Sequence, residues 1–329
     1  MSPLFKIDRT SAWTSPNRLR RLTIAGIALL LAGIVAGIVT AAPLRRSDRL
    51  APPTVLGAYA GYRDVHGVDN ISRLIGRPVG QAMDFFDGTS WSAALASVPL
   101  IVPTWNRTNY RMTWGIPMMP EGGATLAQGA AGTYDSHFET IARYLVAHHQ
   151  GESIIRLGWE FNGFWFPWSA ARCPSCFVNY WRRIVTTMRS VPGSRFRFTW
   201  NPTIGDYGFP PTSAYPGDAF VDLLGLDVYD NVAGGADPVQ RWRHLVEEPF
   251  GLNWFTGFAR AHNKPITLPE WGLGFPPDGG GDDPYFISQM AAFINSRPTI
   301  ISALYWNYGT STLHSAPSSS AAFAHGFAH

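Results

Sequence analysis

Cysteine and charge are scarce in this sequence. Two cysteines occur in 329 residues, and 15% of the residues are charged. Both cysteines lie in one Cys173-Pro174-Ser175-Cys176 motif. A structural zinc site of this kind needs a second such pair, and no thioredoxin-like pattern surrounds this one. The preferred reading is a local disulfide between Cys173 and Cys176, formed in an oxidising compartment. Basic patches are missing from most of the chain. The formal net charge is +3, but the first 49 residues hold eight Lys/Arg against two Asp. The other 280 residues therefore carry 18 basic and 21 acidic side chains, and no nucleic-acid partner is expected. No Gly-rich phosphate loop follows the first apolar run, which argues against a doubly wound nucleotide-binding sheet. No metal-ligand cluster is evident, and no cofactor is expected.

Apolar and aromatic residues are plentiful. Hydrophobic residues make up 46% of the chain, with 13 Trp, 12 Tyr and 20 Phe. Most of these belong to a large core, and a few can act as stacking platforms for the apolar faces of sugars. One uncharged run, Leu22 to Ala42, is long enough to cross a bilayer as a helix. Arg18, Arg20 and Arg21 just before it favour a cytoplasmic N-terminus. A cleaved signal peptide ending near Thr40-Ala41-Ala42 is the alternative, but the run is longer than a usual signal core, so an uncleaved membrane anchor is favoured. Both readings put the remainder outside the cytoplasm, either membrane-bound or secreted. The expected order is a basic cytoplasmic segment (1–21), the anchor (22–42), a linker (43–53), a catalytic region (54–310) and a low-complexity Ser/Ala tail (311–329) expected to be disordered.

Within 54–310 eight short apolar runs alternate with longer amphipathic stretches. The runs begin at Val55, Ala82, Leu100, Ile154, Phe196, Leu223, Ile266 and Ile301. Helical spacing is clear over Tyr134–His149 and Phe177–Met188, and helices are also expected over Val239–Ala261 and Pro284–Ile294. Eight strands alternating with helices over this length predict a (β/α)8 TIM barrel preceded by a single transmembrane helix.

In such a barrel the active site lies at the C-terminal ends of the strands. Here those ends carry a recurring set of polar and aromatic residues. They include Asp84 and Asp87, Glu160 after Ile154-Ile155-Arg156-Leu157, Trp200-Asn201, Asp227 with Tyr229, Glu270-Trp271-Gly272, and Trp306-Asn307. Two carboxylates facing one cleft are what cleavage of a glycosidic bond requires: one protonates the leaving oxygen, the other attacks the anomeric carbon or activates water. Glu160 and Glu270 are the candidate pair. The acid needs a raised pKa, and Trp159 and Phe161 supply an apolar setting beside Glu160. The partner must stay ionised, with Tyr229 or Arg156 to help it. Asp84 and Asp87 are read as structural or sugar-binding.

Arg156-Leu157-Gly158-Trp159-Glu160-Phe161-Asn162-Gly163, with its Trp-rich continuation through Trp165 and Trp168, resembles the acid/base segment of glycoside hydrolase family 26. Trp200-Asn201-Pro202, Gly225 to Asp230 and Pro269-Glu270-Trp271-Gly272 resemble that family's fifth, sixth and seventh strand ends. The resemblance implies a retaining mechanism of the clan A type, with Glu160 as acid/base and Glu270 as nucleophile. It also implies that Tyr229 hydrogen-bonds the nucleophile and that Trp306 stacks under the reacting sugar. Arg156, Trp159, Asn162, Trp165, Trp200, Asn201 and Trp271 complete the expected substrate site. One departure stands out: Trp159 occupies a position where the family usually has His. The expected function is an endo-β-glycosidase acting on a β-mannan-like polymer, with β-glucan or xylan next. A carbohydrate-binding barrel without turnover is the alternative.

Overall fold

The protein is described by a computed structural model covering residues 53–231, 235–274 and 279–328. The basic segment, the apolar run at 22–42 and nearly all of the linker lie outside the described residues. Among the described residues, no helix is long and apolar enough to cross a membrane.

The elements run in order: β1 (Val55–Tyr59), α1 (Val65–Ile75), β2 (Gln81–Phe85), α2 (Trp91–Trp105), β3 (Arg111–Ile116), α3 (Leu126–Ala130), α4 (Asp135–Ala147), β4 (Ile154–Leu157), α5 (Pro174–Arg189), β5 (Arg197–Trp200), β6 (Leu223–Tyr229), α6 (Pro238–Glu247), α7 (Leu252–Ala261), β7 (Ile266–Gly272), α8 (Pro284–Asn295), β8 (Ile300–Trp306) and α9 (Pro317–Phe327). The strands are all parallel and close in sequential order, β8 pairing back onto β1. This is the expected (β/α)8 barrel. Strands covered on both sides read as continuous apolar runs, and every residue of β2, β6 and β7 is buried.

One expected strand is a helix. The run from Leu100 to Trp105 forms the last turns of α2, and the third strand is Arg111–Ile116. Short apolar runs do not distinguish the two states, and Pro99 and Pro103 argue against a helix. The spacing of the buried residues decides it: Val98, Ile101, Val102 and Trp105 make one helical face against the barrel. The expected long helix from Val239 is broken into α6 and α7, with Phe250 at a φ of 61° between them.

The expectation of a disordered tail is corrected. Ser311 Oγ donates to the Leu273 carbonyl at 2.9 Å, and residues 317–327 form α9. Asp282 accepts from the Ser318 and Ser319 amides at 3.0 and 2.7 Å, capping the helix N-terminus. Arg77 Nε and Asn295 Nδ2 donate to the Phe327 and Gly326 carbonyls at its other end. Phe323 stacks on Trp271 of β7, with ring centroids 5.7 Å apart. A Ser/Ala-rich composition concealed a helix whose few large residues, Phe323 and Phe327, are buried.

Phe323→Ala should therefore cost about 3–5 kcal/mol, the usual range for truncating a buried Phe. Thermal unfolding would register this as a Tm lower by several degrees. An unchanged Tm would mean that α9 adds nothing to the barrel.

Candidate active site

Arg156 lies at the centre of the barrel mouth. It is fully buried on β4, and a buried charge is stable only when it is paired and hydrogen-bonded. Its guanidinium satisfies that condition through three other strands or their ends. Nε donates to Asn201 Oδ1 at 2.7 Å, just after β5. Nη2 pairs with Asp227 on β6, and Nη1 with Glu270 on β7. The Phe85 and Trp159 rings stand 5.6 and 5.1 Å from its central carbon, adding cation–π contacts and keeping water out.

Glu270 is held at both oxygens. Oε1 takes the Arg156 contact, and Oε2 accepts from the Tyr229 hydroxyl at 2.8 Å. Its direction comes from an irregularity in β7. Gly225 and Asp227 of β6, two residues apart, pair with Thr267 and Glu270 of β7, three residues apart. The extra residue is a bulge beside Pro269, which lacks a backbone donor. Side chains alternate along a regular strand, so Thr267 and Glu270 would face opposite ways without it. With it, Thr267 bonds Ser302 at 2.8 Å while Glu270 meets Arg156.

Glu160 follows β4 on a tight turn. Its φ of 51° is uncommon for a residue other than glycine, and strain of this kind clusters at functional sites. The turn is fixed by the Glu160 amide donating to the Asn201 carbonyl at 2.8 Å, and by the Gly163 amide donating to the Glu160 carbonyl at 3.0 Å. Trp165 Nε1 donates to Glu160 Oε2 at 2.8 Å. Gly163 makes that contact possible, because a Cβ there would lie 2.4 Å from the Trp165 ring. Across the mouth, half-buried Trp306 packs on Tyr59 at 4.3 Å.

The expected site residues thus divide. Arg156, Trp159, Glu160, Trp165, Asn201, Tyr229, Glu270 and Trp306 gather at the C-terminal mouth. Trp200 and Trp271 do not, which corrects their expected role. Each sits one residue from an inward-pointing neighbour, Asn201 or Glu270, so the strand alternation turns it outward. Trp200 packs against Phe161 and Phe258 and donates to the Ala214 carbonyl at 3.1 Å, whereas Trp271 meets Phe323 and Tyr305. Asn162 spends both ends of its amide on the Thr203 backbone, at 2.9 Å each, and so fastens the loop after β4 to that after β5. Cys173 and Cys176 are joined as a disulfide at the start of α5.

Asp84 is structural. Its carboxylate accepts from Trp105 Nε1 at 2.7 Å and from the Arg63 and Phe85 amides at 2.9 and 2.8 Å. Asp87 accepts from the Thr89 amide at 2.7 Å. The sequence reading passed over Tyr59, Phe85 and Tyr207. Tyr59 ends the first apolar run, two residues after Gly57, and that alternation was the available signal. Tyr207 meets Trp165 edge-on at 5.0 Å, and nothing in its polar loop sequence marks it.

A parallel eight-stranded barrel with two glutamates and an arginine at its C-terminal mouth is the architecture of the barrel glycoside hydrolases. The family model described as Glycosyl hydrolase family 26 matches residues 137–262, so that stretch of the chain is similar to this family. The matched segment includes Glu160 and stops short of Glu270. A mannan endo-1,4-beta-mannosidase of Bifidobacterium adolescentis is 28% identical over 203 residues, covering 54% of this chain and 19% of that protein. The chain thus spans about a fifth of the length of that curated relative. The catalytic domain of an endo-beta-1,4-mannanase from Bacillus sp. JAMB-750 has a similar fold, with a TM-score of 0.54, 18% identity and 78% of each chain covered. So has a beta-mannanase from a symbiotic protist of the termite Reticulitermes speratus, with a TM-score of 0.50, 14% identity, and 79% of this chain and 81% of that one covered. At these identities the likeness to the solved structures is one of fold.

Several buried or half-buried carboxyls hold protons more tightly than usual. Burial pushes Asp84 and Asp230 up to about 6 and Glu248 up to about 7. Burial also raises Asp227 well above the ordinary range, against the pull of Arg156. For Arg156, burial alone would favour the neutral form, but Asp227 and Glu270 outweigh it and keep it charged. Each raised carboxyl binds its proton more strongly in the folded chain than in the unfolded one. The folded state therefore takes up protons between the ordinary carboxylate range and about pH 7, and stability falls as the pH rises through that window. Calorimetric scans should show a higher Tm near pH 5 than near pH 7.5. A Tm that rises steadily over the same interval would contradict this reading.

Proposed function

We propose that the chain is a retaining endo-β-glycosidase. Two carboxyl groups carry this reading, and they meet different surroundings at one barrel mouth. Glu160 lies among aromatic side chains with Trp165 Nε1 on one oxygen. Glu270 instead receives two donors, the Arg156 guanidinium on one oxygen and the Tyr229 hydroxyl on the other. In the first step the Glu160 proton passes to the glycosidic oxygen as its bond to C1 breaks, and a Glu270 oxygen bonds to C1. In the second, Glu160 takes a proton from water, the water oxygen attacks C1, and Glu270 is released.

Endo action is supported by aromatic surface on both sides of the carboxylates. Phe164, Trp165 and Tyr207 lie on the Glu160 side, and Trp306 and Tyr308 lie toward β8 and β1. Phe164 and Tyr308 are exposed. A β-mannan-type polymer is the favoured substrate, because the curated relative and the two structural neighbours are named as mannan-cleaving proteins. Trp159 supports keeping β-glucan and xylan as runners-up, since an indole offers one N–H donor and no acceptor where the family's usual His can offer both.

The purified full-length protein should release short oligosaccharides from the middle of a β-mannan. Glu160→Ala should lower kcat by roughly 10²–10⁴-fold, the range for losing a general acid. A 2-fluoro glycoside should leave a covalent label on Glu270. Cleavage unchanged by Glu160→Ala and Glu270→Ala would exclude this mechanism.

We also place the barrel outside the cytoplasm, tethered by residues 22–42. The run's length, the arginines before it and the Cys173–Cys176 disulfide support this. On cell fractionation the full chain should sediment with membranes and be open to added protease in cells stripped of outer layers. Recovery in the cytosol would refute the placement.

A further inference from the structure

The mechanism above leaves one hydroxyl at the barrel mouth without a task. Tyr59 ends β1, and the pairing of β1 with β8 sets it opposite Trp306. Its ring lies 4.3 Å from Trp306, 5.2 Å edge-on to Phe85 and 5.5 Å from Tyr308. Only 4% of the residue is exposed. Buried hydroxyls are ordinarily paired. Among the described residues the Tyr59 hydroxyl has no hydrogen-bond partner, yet it is not one of the sealed polar atoms left without one. It therefore opens on a space that solvent or a ligand can enter.

That space is on the nucleophile's side of the cleft. Asp84, Tyr308 and Glu270 are the ionisable groups that act on the hydroxyl electrostatically. Asp84 is already engaged by Trp105, Arg63 and Phe85, and Glu270 by Arg156 and Tyr229. Burial, followed by these neighbours, raises Tyr59 far above its ordinary value, so it stays a neutral hydroxyl able to donate and accept. In the glycosidase reading the leaving group is protonated by Glu160, which Trp165 contacts in the loop beyond β4. Tyr59 lies on the β8–β1–β2 side, beside Trp306, the ring on which the glycosidase reading stacks the reacting sugar.

We propose that Tyr59 is a substrate-binding residue of the glycone pocket, its hydroxyl hydrogen-bonding a ring hydroxyl of the sugar stacked on Trp306. This rests on the glycosidase reading given above. A ring that only props Trp306 would need no hydroxyl, and Tyr59→Phe keeps the ring while removing the oxygen. In the full-length protein Tyr59→Phe should lower kcat/KM about tenfold or more, the worth of one lost substrate hydrogen bond, with Tm unchanged. Tyr59→Leu, which also removes the prop, should lower it further.

A second measurement avoids turnover. Manno-, gluco- and xylo-oligosaccharides are titrated calorimetrically into Glu160→Gln and into Glu160→Gln combined with Tyr59→Phe. The double variant should bind the preferred oligosaccharide about tenfold more weakly. Equal affinity, or a Tyr59→Phe enzyme with unchanged kcat/KM, overturns the proposal and leaves the glycosidase reading intact. Binding without any cleavage by the unmodified protein overturns the glycosidase reading, and the calorimetric difference still decides on Tyr59. No binding by either variant overturns the proposal for Tyr59, and cleavage by the unmodified protein then decides on the glycosidase reading.

Discussion

The rest of the site depends on one buried cation. Arg156 has no access to water, so every one of its contacts must come from the protein. Asn201, Asp227 and Glu270 supply them from the ends of β5, β6 and β7, and Phe85 and Trp159 cover its faces. Removing one partner from a buried pair of this kind leaves an uncompensated charge, a cost on the order of 3–5 kcal/mol. The guanidinium thereby fixes where Glu270 stands relative to β4, and Glu160 leaves β4 four residues further on. A single side chain couples both carboxylates to the same frame. Asp227 is part of this arrangement. It shares the positive charge with Glu270, and burial draws it toward its protonated form.

Two local irregularities then aim the carboxylates. The bulge at Pro269 turns Glu270 into the cleft, and the left-handed turn at Glu160 lifts its side chain beside Trp165. Both cost backbone regularity. The regular packing around them offsets this, with Trp200 and Trp271 filling the layer between barrel and helices, and Asn162 fastening one loop to the next. The same aromatic residue type thus serves two purposes here. Trp159, Trp165 and Trp306 shape the mouth, and Trp105, Trp200 and Trp271 build the wall behind it.

α9 extends the fold past the last barrel strand. Its capping by Asp282, Arg77 and Asn295 joins three separate parts of the chain. Phe323 reaches the outer side of β7, the strand that carries Glu270 on its inner side. The C-terminal helix therefore braces the back of the nucleophile's strand.

Much of this was legible in the order of residues. Seven of the eight strands, the parallel barrel they imply and the pair Glu160 and Glu270 follow from apolar runs that end in carboxylates. Arg156 and Tyr229 were recognisable as partners of Glu270. The third strand, the ordered α9 and the outward direction of Trp200 and Trp271 were not. Leu100 to Trp105 has the composition of a strand, and only the barrel surface it covers makes the helical face the better burial. Trp271 and Glu270 are neighbours in sequence, and pleating with one bulge sends them to opposite sides of a wall. Sequence determines which residues are available at each strand end, because composition and periodicity are local. Which of them share a cleft depends on strand register, on a one-residue bulge and on the closure of β8 onto β1. These are long-range pairings that no local pattern encodes.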